Sequence, residues 1–476
     1  MTVEVQTIAA ILVSCLISFA TAPKELPQAR SFNPRPNGPG EVPGAPDEFP
    51  SLRALPVAVG SGLSDPAGRD GYWNQFRGPH ANGTTTETGL PVTFGEGSPE
   101  IVWKTPVIGK AWSSPVIWDK QVWVTNSPEL VDPMKEQNRL QEPLELSALC
   151  IDVDTGKIIH NLKIFDVYTA QITHPTNSLA SPTPCIEAGR VYLHYGAYGT
   201  ACVDTRSGKK IWERTDLPCN HFRGPGSSAV IYGDLLYLTF DGYDVQYIIA
   251  LNKFTGVTVW KTDRGIDYGT TDGDAKKAYS TPLLIEAEGR KLLISPSAGA
   301  TGAYDPLTGA CLWTVRHGGM NAAGRPLYGN GLLYIATGDG PNPLIAVPPN
   351  GTGDITKNIA WRGLKAVPKR PSSLLIGNRL YMVNDGGVAS CLDAADGTVI
   401  WSTRLPGEYW SSPLYAEGLI YCFSQQGQVP VFKAADEFEL VADNKLDVGF
   451  IASPAIAGKA LILRSKTHLY RIERKP

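Results

Sequence analysis

Eleven residues of this chain have side chains that could meet a ligand, and all stand at, or just before, a short Ser/Thr-Pro-like tripeptide that opens an apolar run. They are Trp112, His174, Asn177, His221, Arg223 and Tyr279, followed by Asn321, Arg325, Arg370, Tyr409 and Trp410. The aromatic rings offer stacking faces and Arg offers a planar donor fork, a combination suited to a sugar, a carboxylated ligand or a peptide segment. The opposing expectation is that aromatics at such positions simply plug a channel. No catalytic residue is assigned, because no GxSxG, Walker loop or HExxH occurs. A hydrolase or lyase built on His221 and Arg223 is a minor alternative. His174 and His221 could contribute to a metal site, yet no metal is expected. Asp241-Gly242-Tyr243-Asp244 resembles a calcium loop only in composition and reads as a hairpin turn.

The elements that must position these residues are visible as repeats. Eight openings recur: Ser113-Ser114-Pro115, Ala180-Ser181-Pro182, Ser227-Ser228-Ala229, Ser280-Thr281-Pro282, Gly324-Arg325-Pro326, Pro371-Ser372-Ser373, Ser411-Ser412-Pro413 and Ala452-Ser453-Pro454. Each precedes a short apolar strand, a turn and a second strand. A motif of the form Asp-x-x-(Thr/Ser/Asp)-Gly-x-x-x-Trp then ends the unit. It occurs at Asp204 to Trp212, at Asn252 to Trp260, at Asp305 to Trp313 and at Asp393 to Trp401. A copy at Asp152 has His160 in the Trp place, one before Trp361 has a turn expanded over 348–358, and one at 433–441 has lost both Gly and Trp. The acidic side chain can bond the turn backbone, Gly can take the left-handed conformation, and Trp offers a broad face to the next unit. A group repeated around the chain is scaffolding, so these Asp residues are expected to be structural.

Residues 71–476 divided among eight openings allot about 51 residues to each, near the length of a four-stranded propeller blade. The expected fold is all-β, an eight-bladed β-propeller with tryptophan-docking repeats. After Ala452-Ser453-Pro454 there is chain for only three strands, whereas Glu100-Ile101-Val102-Trp103-Lys104 is a strand without a blade, so this N-terminal strand is expected to complete the eighth blade and close the ring. Four segments follow: a signal peptide over 1–22, a Pro/Gly-rich flexible tether over 23–70, an extension over 71–99 packed on the propeller, and the propeller over 100–476.

Composition limits the partners. With 43 Lys+Arg against 46 Asp+Glu and a net charge of −3, nothing favours nucleic acid. Residues 8–22 are uncharged and largely apolar, too short for a comfortable membrane span but suited to an export signal. The protein is therefore expected to be periplasmic or secreted and monomeric. Its membrane contact would be limited to a lipid on Cys15, which follows Leu12-Val13-Ser14 in a lipobox-like pattern. Nine prolines from Pro23 to Pro56 favour an extended tether. The eight Cys include no CxxC and no adjacent pair, so neither a zinc knuckle nor a disulfide framework is indicated. Cys150, Cys202 and Cys391 read as small core hydrophobes, and one bridge among Cys185, Cys202 and Cys219 stays open.

The Asp-x-x-Thr-Gly-x-x-x-Trp units resemble the blades of the PQQ-type propeller superfamily, which includes quinoprotein alcohol dehydrogenases and the propeller lipoprotein of the outer-membrane Bam machinery. The run Tyr72-Trp73-Asn74-Gln75-Phe76-Arg77-Gly78-Pro79, with Asn82-Gly83, Trp103-Lys104 and Trp112-Ser113-Ser114-Pro115, is similar to secreted PQQ-like propellers of planctomycete-type bacteria. For the dehydrogenases, the resemblance implies a quinone in the central funnel, stacked on Trp, covered by a disulfide of adjacent Cys, and bound through calcium held by Glu, Asn and Asp beside a base Asp. This chain lacks the Cys pair, and no matching calcium set is found. No cofactor is therefore expected. The principal expectation is a non-enzymatic scaffold for an envelope protein or for a saccharide or peptide ligand; the alternative is a PQQ- and calcium-dependent dehydrogenase of alcohols or sugars.

Overall fold

The structure, a computed structural model, describes residues 72–136, 140–446 and 448–475. The expected signal peptide, the tether and Cys15 lie outside the described residues. The described chain forms 33 strands in eight sheets, and its helical elements are two 3-10 turns, Gly273–Lys276 and Thr356–Asn358. Each sheet has four antiparallel strands, joined in blade 4 by a short fifth strand, and the eight are the blades of a β-propeller. Blades 1 to 7 span residues 116–167, 185–214, 230–263, 283–316, 327–363, 374–404 and 414–445. Blade 8 combines Ala455–Ala457, Ala460–Arg464 and His468–Glu473 with the early strand Ile101–Pro106, which pairs antiparallel to His468–Glu473 as the outermost strand.

The recurrent openings do two jobs. Their Pro or small residue leads into the innermost strand, and their hydroxyl joins neighbouring blades. The backbone N–H of Ser114 donates to Thr183 Oγ1 at 2.9 Å, that of Thr183 to Ser228 Oγ at 2.9 Å, and that of Ser228 to Thr281 Oγ1 at 3.0 Å. Beyond a gap, the N–H of Arg325 donates to Ser372 Oγ at 2.9 Å, Ser372 to Ser412 at 3.0 Å, and Ser412 to Ser453 at 2.9 Å. Ser453 N–H then donates to Ser114 Oγ at 3.0 Å, which joins blade 8 to blade 1. In blade 2 the linking residue is Thr183, not Ser181: Thr183-Pro184 has the same spacing to its inner strand, Cys185–Glu187, as Ser114-Pro115 has to Val116–Trp118. The Ala180-Ser181-Pro182 triplet lies one step upstream, and its Ser181 hydroxyl bonds Asn177 Oδ1 instead.

Tryptophan docking forms the outer joint. Trp103, Trp212, Trp260, Trp313, Trp361 and Trp401 donate their Nε1–H to the carbonyls of Val153, Lys253, Pro306, Pro349, Ala394 and Ala435, all in the following blade. Gly309 shows why the turn needs glycine. Its φ is +73°, and a Cβ there would lie 2.4 Å from the Trp260 ring. The motif acids are bound locally, as when Asp305 Oδ1 accepts from both the N–H and the hydroxyl of Thr308 at 2.8 and 3.0 Å. The expanded turn contributes a short strand, Gly353–Asp354, parallel to the outer strand of blade 4.

The extension fills the remaining defects. Blade 7 carries Ala442 in the Trp register, opposite Val431, and there Leu90 and Phe94 join the apolar cluster shared with blade 8. Asn444 holds that segment by accepting from Phe94 N–H at 2.7 Å and donating to the Val92 carbonyl at 2.9 Å. Upstream, residues 73–85 run along the inner strands: the carbonyls of Trp73, Asn74 and Gly83 accept the N–H groups of Ile117, Ile186 and Tyr415. Among the described residues no disulfide is formed, so the bridge left open among Cys185, Cys202 and Cys219 is not made; those three are buried in one core cluster.

Replacing fully buried Trp313 by Ala should cost about 3–5 kcal/mol, and Ser412→Ala, which strands the buried N–H of Ser372, about 1–3 kcal/mol. Urea unfolding would measure both. A loss of less than about 0.5 kcal/mol for Trp313→Ala would be within the range of an ordinary surface change and would contradict a docking role.

Candidate functional site

A cavity of about 470 Å³ occupies the channel. Its wall is the hydroxyl ring, through Ser114, Thr183, Ser228, Thr281, Ser412 and Ser453, and Phe76 of the extension also lines it. The extension closes the channel beyond Phe76 because two buried guanidinium groups tie it to the inner strands. Arg77 donates to the carbonyls of Ser372 and Ser373 at 3.4 and 2.5 Å and to that of Asn82. Arg325 donates to the carbonyls of Pro282 and Phe76 at 3.1 and 2.7 Å and to Gln75 Oε1 at 3.3 Å. Burial, and for Arg77 the adjacent Arg325 charge, pulls both groups down to about 9. They remain protonated at neutral pH, with carbonyl oxygens in place of carboxylates.

The loops leading into the openings form the mouth. Among the expected residues, Trp112, His174, Asn177, Arg223, Tyr279, Asn321, Arg370 and Trp410 line the cavity. Their freedom differs. Asn177 donates to the carbonyls of Arg223 and Pro225 and accepts from Ser178 N–H and Ser181 Oγ, so it braces two loops. Trp112 donates to the Thr176 carbonyl at 2.9 Å, and His174 Nδ1 meets Thr176 Oγ1 at 2.7 Å. Among the described residues, neither the Tyr279 hydroxyl nor the side-chain oxygen of Asn321 has a hydrogen-bond partner. Burial pushes the Tyr279 phenol up.

Three expected residues lie elsewhere. His221 is 7% exposed, accepts Ala197 N–H on Nε2 at 2.9 Å and has Cys219 Sγ 3.7 Å from Nδ1, so neither ring nitrogen is offered to the cavity or to His174. Tyr409 is fully buried between blades and donates to the Pro406 carbonyl at 2.8 Å. Arg325 faces the extension, as described above. For His221 and Tyr409 the reason is that a loop side chain can turn into the blade as readily as into the channel.

The sequence reading missed the carboxylates. Asp274 receives Arg223 in a bidentate pair, Nε to Oδ1 at 3.1 Å and the terminal nitrogen to Oδ2 at 2.8 Å, and also pairs with buried Lys277. Those partners, Arg223 foremost, hold its carboxyl down to about 2. Asp339 pairs with Lys369 and accepts from Asn321 Nδ2 at 3.2 Å. Arg370 donates to Asp385 at 2.5 Å while its guanidinium lies 4.1 Å over the Trp410 ring. Four cations, Arg223, Lys277, Lys369 and Arg370, thus face three carboxylates, Asp274, Asp339 and Asp385. The excess is felt by His174, lowered first by burial and then by Arg223, Arg370 and Lys277.

The fold and this closed channel define an eight-bladed propeller with a single-ended central cup. The sequence model of the family described as "Outer membrane protein assembly factor BamB" matches residues 147–299 and 355–437. The chain is a PQQ-like propeller. It is 32% identical over 146 residues to the quinoprotein alcohol dehydrogenase PedH of Pseudomonas putida, covering 27% of this chain and 22% of that protein. It is 23% identical over 239 residues to the outer membrane protein assembly factor BamB of Shewanella oneidensis, covering 47% of this chain and 56% of that one. The chain therefore spans well under two thirds of either relative. A europium-containing methanol dehydrogenase superposes with a TM-score of 0.60 at 10% identity, covering 85% of this chain and 89% of that one, a likeness of fold.

The residues present do not fit a calcium-bound quinone. Both carboxylates lining the cavity are engaged by cationic side chains, no Glu or Cys lines it, and no cluster of three or more His, Cys, Asp or Glu suited to a metal occurs among the described residues. An ion would have to displace Arg223 with Lys277, or Lys369.

Three buried histidines set an acid limit. Burial lowers His194 to about 3 and His221 and His317 to about 4, from 6.5. The unfolded chain takes up these protons near pH 6.5 and the folded chain only near 3 to 4. Their stabilisation is therefore complete above pH 6.5 and is lost as pH falls toward 4. The melting temperature should decline across that window; a flat profile between pH 6.5 and 4 would refute the assignment.

Proposed function

We propose that this propeller is a non-enzymatic binding scaffold exported to the cell envelope, periplasmic or secreted, and that its cup takes a carboxylated saccharide or peptide segment. The observation that carries this reading is the mouth: the Arg370 guanidinium lies over the Trp410 ring beside Lys369, and cations outnumber carboxylates around a cavity whose wall includes the hydroxyl ring. A guanidinium on an aromatic face offers its remaining donors to a carboxylate, while Trp112 and Trp410 offer surfaces to a sugar ring or an apolar side chain. The hydroxyl ring suits a polyol or a peptide backbone. The resemblance to an outer membrane assembly factor supports an envelope protein as the source of a peptide ligand. Among the described residues, no helix is long and apolar enough to cross a membrane.

Calorimetric titration with uronic-acid oligosaccharides and with acidic peptides would test the reading. Arg370→Ala and Trp410→Ala should each weaken binding by about tenfold or more, the size of losing a charge-assisted bond or a stacked ring, with the melting temperature nearly unchanged. Turnover of an alcohol with an artificial electron acceptor, appearing on addition of PQQ and Ca²⁺, would replace this reading with the dehydrogenase.

A further inference from the structure

At the end of the ring opposite the mouth, a second cavity of about 250 Å³ lies between the extension and blades 1 to 3. Trp118 and Ile186 form apolar walls, and Phe254 stands at its edge. Its charges do not cancel. Lys253 Nζ donates to Glu187 Oε2 at 2.7 Å, and the other oxygen of Glu187 accepts the Tyr192 hydroxyl at 2.8 Å, so that pair is neutral. Among the described residues, no carboxylate pairs with Arg190. Its guanidinium lies 5.1 Å over Phe254, and its Nε is buried with no hydrogen-bond partner among the described residues.

The complementary atom comes from the extension. Asn74 is 7% exposed, its backbone carbonyl is fixed by Ile186 N–H at 2.9 Å, and it is one of the residues lining this cavity; among the described residues nothing donates to its buried Oδ1. The lining of one pocket thus includes a guanidinium and an amide oxygen that, among the described residues, have no carboxylate and no donor. Buried polar groups without partners are rare and destabilise the empty protein, and both are satisfied by a molecule carrying an anion and a hydrogen-bond donor together. The volume suits a single residue-sized molecule, and the Ile186 and Trp118 walls accommodate a small apolar substituent.

We infer that this cavity binds an α-amino or α-hydroxy carboxylate, with the carboxylate on Arg190 and the amino, amide or hydroxyl donor on Asn74 Oδ1. A free acid and the C-terminal end of a peptide share this chemistry. The site is distinct from the cup and does not depend on its proposed ligand.

The test is titration of the full chain with L-alanine, L-lactate and N-acetyl-L-alanyl-L-alanine, followed by calorimetry and by the fluorescence of cavity-lining Trp118. At least one probe should bind saturably; the first two report a free acid, and the last a peptide end. Arg190→Gln should raise its Kd about tenfold or more by removing the charge-assisted bond. Asn74→Asp should do the same by placing carboxylate against carboxylate. Arg370→Ala at the cup mouth should leave this affinity unchanged, which separates the site from the cup. Melting curves of Arg190→Gln and Asn74→Asp confirm that each is folded. Absence of binding by all three probes would overturn the inference, as would binding lost in Arg370→Ala but kept in Arg190→Gln.

Discussion

Each blade must hold its two neighbours at the angle that lets eight sheets meet, and the hydroxyl relay around the channel sets that contact at its tightest radius. A backbone N–H of one blade donates to the Ser or Thr hydroxyl of the next, from Ser114 to Thr183 and onward, until Ser453 returns to Ser114. These N–H groups are buried, so leaving one unpaired is costly, and a hydroxyl is the shortest side chain that can reach it. Where Arg325 replaces the hydroxyl, the relay is interrupted, and the Arg325 side chain instead binds the extension that closes the channel.

The outer joints repeat the logic with a larger group. Six indoles bond carbonyls of the following blade, and four of them, Trp103, Trp212, Trp260 and Trp361, lie against turn glycines, while His160 and Ala442 stand in the other two Trp positions. The weaker joint at Ala442 is reinforced from outside by Leu90 and Phe94. The extension thus repairs one blade junction and also closes one end of the channel. Two buried arginines hold it through carbonyl oxygens, which avoids introducing carboxylates beneath the cup.

How much of the site was legible depended on which way a loop side chain turned. Trp112, Arg223, Arg370 and Trp410 reach the cavity, but His221 and Tyr409, from the same class of loop, turn into the blades. Their spacing to the opening tripeptide could not separate the two outcomes. Asp274 and Asp339 gave no signal because an acidic residue in a polar loop is ordinary until a cation such as Arg223 or Lys369 is placed against it. The opening of blade 2 was read at Ser181 because Ser-Pro and Thr-Pro stand side by side, and only strand pairing distinguishes them.

The sequence by itself determined the all-β class, the eightfold repeat and the structural role of the Asp-Gly-Trp motif, because these follow from local rules: period-two burial, turn chemistry and a fixed offset to tryptophan. The tertiary structure alone decided that the Trp73 to Gly83 run closes the channel, that the carboxylates of the mouth are already paired, and that Arg190 and Asn74 share a second cavity. Each of these joins residues far apart in the chain, some by more than two hundred positions, and their distance in space is set by ring closure and by no local preference.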